Sequence, residues 1–94
     1  MAKTIVIEAN EVECFHANNG QRIRSLKELS NAFESMDDAT FGHHVNGERN
    51  DFSNWAKGVL KDDTLAEQLL GAKDKKSAQI VALKRLLAIL SEIA

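Results

Sequence analysis

Polar and apolar residues alternate along this chain with two periods, and the change from one to the other falls at Arg24 and Ser25. Before that point the pattern is extended. Thr4, Ile5, Val6 and Ile7 form a β-branched cluster, and Val12, Cys14 and Phe15 resume it around the polar Glu11, Glu13 and His16. Asn18, Asn19 and Gly20 tolerate left-handed backbone angles and mark a tight turn, after which Gln21 to Arg24 alternates around Ile23. The pattern predicts a lead segment over residues 1–11, extended or partly ordered, and a short hairpin over 12–24. Two strands alone are marginal in water, so the side bearing Phe15 and Ile23 needs helices to pack on.

From Ser25 onward apolar residues recur every three or four positions, which is the helical period. Ser25, Leu26, Lys27, Glu28 reads as a capping box, and Leu26, Leu29, Phe33 and Met36 form the inward stripe of a first helix, with Lys27, Glu34 and Ser35 off it. Asp37 or Asp38 caps a short second helix from Ala39 to Val45, with Phe41, His44 and Val45 on one side, and Asn46-Gly47 stops it. The stretch Asn50 to Leu60 carries the single tryptophan. Its Phe52, Trp55, Ala56, Val59 and Leu60 share one face of a central helix that Asn50 can cap and Asp51 can favour through the helix dipole. Thr64 and Glu67 suggest a second capping box before Leu65, Ala66, Leu69 and Leu70, with Gly71 at the expected C-terminal cap. Asp74 or Ser77 opens the last helix. Its Ile80, Leu83, Leu87, Leu90 and Ala94 fit a heptad seam, widened by Leu86, Ile89 and Ile93. That stripe suits a core helix touched on two sides, and it also suits a helix that keeps a strip for a partner chain.

The elements together predict a mainly α fold, a compact bundle of about five helices with a short N-terminal β-hairpin. With 94 residues, no proline and no low-complexity tract, the chain reads as one domain over residues 1–94, helical from 25 to 93. Aromatics are sparse at 5%, so the core must be mostly aliphatic around four phenylalanines and Trp55. A net charge of −2 supplies no general attraction to phosphate or anionic lipid, and no apolar run is long enough to span a membrane. The single Cys14 cannot form an intramolecular disulfide and the N-terminus lacks the features of a signal peptide, which makes the cytoplasm the expected location.

Few residues invite chemistry. His43-His44, with His16, Cys14 and Asp51, supplies metal-ligand types, but adjacent helical residues point about 100° apart and there is no HxxxH or CxxC spacing. Cys14 with His16 on the same side of a strand, or with His44, would be a nucleophile and base. A buried cysteine acting as a small hydrophobe accounts for Cys14 without any activity, and no phosphate loop is present. We therefore expect neither metal nor cofactor. Basic residues at Arg22, Arg24, Lys27, Lys73, Lys75, Lys76, Lys84 and Arg85 raise nucleic-acid binding, with the helices after Asn50 as a helix-turn-helix in outline. Asp62-Asp63 between them would repel phosphate, and a solvated charged face explains the pattern.

From Phe15 to Ala72, about two-thirds of its length, the chain resembles a family of small domains of unknown function found in archaea and some bacteria. The residues that carry the resemblance are Gly20, Ser25, Leu26, Glu28, Leu29, His44, the run Asn50, Asp51, Phe52 and Trp55, and Asp63, Leu65 and Ala66. Thr64 is an extra residue in the last motif, so either Asp62 or Asp63 is the matching acid. The resemblance implies a mainly helical domain with no established reaction or ligand, and it groups His44, Asp51, Phe52 and Trp55. Two readings of that cluster are open: a hydrogen-bonded structural lock beside the aromatics, or a small polar site at a helix start for an anion or a peptide terminus. The expected function is a non-enzymatic binding or protein-interaction module, with self-association through the last helix. The alternatives are a small metal- or histidine-dependent enzyme using His44 and Asp51, and a nucleic-acid-binding helical domain.

Overall fold

In a computed structural model, described at residue 9 and over residues 13–93, five helices follow a two-stranded hairpin. Strands β1 (Phe15–His16) and β2 (Arg22–Ile23) pair antiparallel, Phe15 against Ile23 and His16 against Arg22. The turn between them is the expected one. Gly20 has φ 94°, a left-handed angle that favours glycine, and its N–H donates to the Ala17 carbonyl. The predicted lead segment lies outside the described residues except for Ala9, whose N–H donates to the Arg24 carbonyl. Cys14 and His16 do not share a side. Glu13 sits in a 3₁₀ turn and the strand begins only at Phe15, so strand alternation does not reach Cys14, which is buried while His16 is exposed.

Helix α1 (Leu26–Ser35) starts at the Ser25 cap, whose hydroxyl accepts from the Glu28 N–H. The reciprocal half of the box is shifted by one residue. Glu28 Oε1 accepts from the Arg24 N–H at 2.8 Å, tying the helix start to the end of β2. Leu26, Leu29, Phe33 and Met36 are buried as the periodicity requires. Asp37 caps α2 (Asp38–His44), and Asn50 caps α3 (Asp51–Gly58) by accepting from the Ser53 N–H at 3.0 Å. Between α2 and α3, Val45 bridges Asn50 across the Asn46-Gly47 turn.

Helix α3 ends two residues before Leu60, and Lys61 takes φ 59°, which turns the chain sharply into α4 (Asp63–Leu70). The cap there is Asp62, not Thr64: its Oδ1 accepts from the Leu65 N–H at 3.0 Å and its Oδ2 accepts from Arg85 Nε at 2.8 Å. An aspartate two residues earlier fits the geometry better because its second oxygen stays available for the arginine of the last helix. Starting α4 there also corrects its face. Leu65, Ala66 and Leu69 are buried, whereas Leu70, expected inside, lies at the helix end and is 52% exposed.

Asp74 opens α5 (Lys75–Ile93) by accepting from the Ser77 N–H at 2.7 Å. The Thr40 hydroxyl and N–H hold the Asp37 carboxyl below the ordinary carboxylate range, and the Ser77 N–H and hydroxyl do the same for Asp74. A depressed carboxyl pKa stabilises the fold above the unfolded value, so both caps lose their contribution as the pH falls through the lowered values.

The last helix departs most from a simple amphipathic reading. Its inward side is small, with Ala78 and Ala82 buried and Val81, Leu86 and Ile89 packed beside them, and it lies chiefly along α1 and more narrowly on α4. Lys75 Nζ donates to the Met36 carbonyl at 2.6 Å and fixes the start of α5 to the end of α1. The heptad seam points the other way: Ile80, Leu83, Leu87 and Leu90 are 47, 42, 62 and 39% exposed. Alanines fill the inward side because close approach of helices excludes larger side chains. Among the described residues, no helix is long and apolar enough to cross a membrane. Ala82 is fully buried in this tight contact. Ala82→Leu is therefore expected to lower the unfolding free energy by about 1 to 3 kcal/mol in urea denaturation; an unchanged midpoint would mean that α5 does not sit closely on the bundle.

Candidate functional site

The four residues singled out from sequence meet where the hairpin, α2 and α3 come together. His44 ends α2, and Asp51, Phe52 and Trp55 belong to the first two turns of α3. The helical period then separates their tasks: Asp51 faces the end of α2, while Phe52 and Trp55 turn into the core at 1% and 7% exposure.

Both ring nitrogens of His44 are engaged. Nε2 accepts from the Asn18 backbone N–H at 2.9 Å, and Nδ1 lies 2.9 Å from Asp51 Oδ2. A backbone N–H can only donate, so Nε2 carries no proton and the proton sits on Nδ1, donated to the carboxylate. The same Asp51 Oδ2 lies 3.5 Å from Arg49 Nε, and Arg49 donates through Nη2 to the His43 carbonyl at 2.6 Å. Backbone of the hairpin turn, imidazole and carboxylate thus form one chain of hydrogen bonds, which an ion pair extends to the guanidinium. It joins the N-terminal hairpin to two helices and to the loop between them.

Aromatic packing closes the imidazole from the other sides. Phe15 meets His44 edge to face with ring centres 4.9 Å apart, and Phe52 does so at 5.4 Å. Trp55 closes the lower side of the cluster. Its indole N–H donates to the Glu13 carbonyl at 2.8 Å, not to His44, so the tryptophan holds the residues just before β1. On the far side of α3, Asn50 Nδ2 donates to the Leu69 carbonyl and Ser53 Oγ to the Ala66 carbonyl, clasping α3 to α4.

As an acid–base group the imidazole has no nitrogen left to offer a substrate in this arrangement. The ring is 8% exposed at its side chain, against 31% for Asp51. Among the described residues, two surface hollows lie elsewhere. One is lined by Gln21, Ile23, Glu28, Asn31 and Ser35 between the hairpin and α1, the other by Gln68, Ala72, Ser77, Val81 and Lys84 between α4 and α5. None of the four cluster residues lines either. His43 is exposed with its ring perpendicular to that of His44, and among the described residues no three His, Cys, Asp or Glu side chains converge.

Asn18 and Arg49 belong to the cluster and were not among its predicted members. Asn18 enters through its backbone N–H, which leaves no residue-type signal, and its place in an Asn-Asn-Gly turn accounts for its identity without any partner. Arg49 stands two residues before Asp51. That proximity was legible as a charge pair, but the bond to the His43 carbonyl depends on the fold of the loop. No protein-family model, curated protein or solved structure matches the chain.

Two outcomes check this geometry. Trp55→Ala is expected to cost about 3 to 5 kcal/mol in chemical denaturation, because a buried indole and its hydrogen bond are both removed; a near-neutral result would mean that the ring is not packed. Nitrogen-15 NMR of the side chain is expected to show His44 as the Nδ1–H tautomer. His44→Ala should strip the Asn18 amide of its protection from exchange, since its acceptor is removed. An Nε2–H tautomer, or an Asn18 amide indifferent to loss of the ring, would contradict the lock.

Proposed function

We propose that this chain is a non-enzymatic protein-interaction module of the cytoplasm whose docking face is the outward side of α5. The observation that carries the reading is the row Ile80, Leu83, Leu87 and Leu90, half exposed along three turns of one helix in a protein whose other described helices bury their main apolar stripes. A continuous apolar row at heptad spacing is what a partner helix packs on. The His44–Asp51 pair fits the structural half of its two readings, because its hydrogen bonds run within the protein and Phe52 and Trp55 are buried behind it. We carry the likeness to archaeal and bacterial domains of unknown function, over Phe15 to Ala72, as part of the same reading.

The rival functions find less support. Three of the basic side chains that raised nucleic-acid binding are committed to protein acceptors: Arg24 to Glu28, Lys75 to the Met36 carbonyl and Arg85 to Asp62. A histidine-dependent reaction would need His44 to give up the Asn18 bond first.

The reading is tested by the double substitution Leu83→Asp with Leu87→Asp and by a soluble paramagnetic probe on methyl-labelled dilute protein. Both residues are about half exposed, so the double variant is expected to lower the unfolding free energy by no more than about 2 kcal/mol, and the probe should broaden the methyls of Ile80, Leu83, Leu87 and Leu90. A loss of several kcal/mol, or methyls shielded from the probe, would place the row inside the folded chain and overturn the reading.

A further inference from the structure

We infer that the outward row of α5 pairs with the same row of a second copy of this chain, in antiparallel orientation about a two-fold axis between Leu83 and Leu87. The inference rests on the interaction reading above and names its partner. Its basis is the symmetry of the spacing. Ile80, Leu83, Leu87 and Leu90 are separated by three, four and three residues, a pattern identical when read backwards. An antiparallel pair therefore sets Ile80 against Leu90 of the partner and Leu83 against Leu87, and repeats both layers by symmetry, so that four layers fill and none is left over.

Charge selects this orientation over the parallel one. Lys76 is exposed and lies on the same seam one turn before Ile80. In a parallel pair the two Lys76 side chains would stack against each other next to the first apolar layer. Antiparallel pairing moves them to opposite ends, and it also opposes the two helix dipoles. Near the two-fold axis the exposed Lys84 of each copy would flank the seam, a like-charge contact at the solvent rim whose cost is small. The inward residues Ala78, Ala82, Leu86 and Ile89 stay on α1 and α4, so pairing requires no change in the bundle.

The size of the row sets the strength. Four half-exposed aliphatic side chains offer roughly half of the about 800 Å² per partner that stable complexes bury. The pair is accordingly weak, forming and separating with concentration.

Sedimentation equilibrium of the intact chain from about 10 µM to about 1 mM tests this, the upper limit being set by the weakness expected of a row this small. The weight-average mass is expected to rise from the 10.4 kDa of one chain toward twice that value, and Leu87→Asp is expected to hold it at one chain while leaving the helical circular dichroism unchanged. Orientation is read from nitroxide labels on Lys84→Cys and, separately, Lys76→Cys, each with Cys14→Ser. In the antiparallel pair the labels at 84 lie close across the axis, while those at 76 are displaced by roughly 27 Å along it. Short distances at both positions would overturn the orientation. A mass that rises equally in Leu87→Asp would overturn the surface. If the chain stays monomeric at the highest concentration while the paramagnetic probe still reaches the row, self-pairing fails and a different protein is the occupant. If the row is shielded in the monomer, the interaction reading fails with it.

Discussion

Phe52 is the contact on which the rest of the structure depends. Its ring is fully buried, stacks on Phe15 with centres 4.6 Å apart and on Phe41 at 5.9 Å, and receives Phe33 and His44 edge to face. One side chain on α3 thereby touches β1, α1 and α2. With only five aromatic residues in 94, the fold places all of them around this point. The short helices α2 and α3, seven and eight residues long, are below the length at which helices are stable alone, so they exist because this cluster holds them.

Around that apolar centre the polar groups act as fasteners between segments distant in sequence. His44 joins residues 26 apart through the Asn18 N–H, Trp55 joins residues 42 apart through the Glu13 carbonyl, and Arg85 joins α5 to the cap of α4. Among the described residues, no buried side-chain nitrogen or oxygen lacks a partner. Each of these bonds is worth little net, but losing one member would leave a desolvated donor or acceptor behind. The imidazole is the most constrained of them, since its two nitrogens answer to two different elements at once.

Much of the fold was legible because its signals are local. The Ser25, Asp37 and Asn50 caps act within three residues, the hairpin turn needed Gly20, and the stripes of α1 and α3 follow from period alone. The misreadings fall where a distant partner decides. Asp62 is the cap of α4 because Arg85, 23 residues later, takes its other oxygen, and Thr64 offered an equally good local signal. Cys14 left its expected side when a 3₁₀ turn replaced the start of the strand. In α5 period could identify an apolar seam but could not say whether the seam or the alanines faced inward, since both sides are apolar and only the spacing to α1 chooses. The grouping of His44 with Asp51 followed from a resemblance and from proximity, whereas its link to the hairpin ran through a backbone amide that sequence does not mark.

The distances along the chain bridged by Trp55 and His44 bear on how the protein is made. Ala9, Glu13, Phe15 and Asn18 all find their partners in residues that come later, Ile23 at the earliest and Trp55 at the latest. A ribosome delivers this N-terminal segment first, yet its contacts with the central helix cannot form until residue 55 has emerged, and each of them closes a long loop. Phe15 and the residues around it therefore wait for their partners in α2 and α3 during synthesis, and the turn at Asn18 to Gly20 can take its final shape before them.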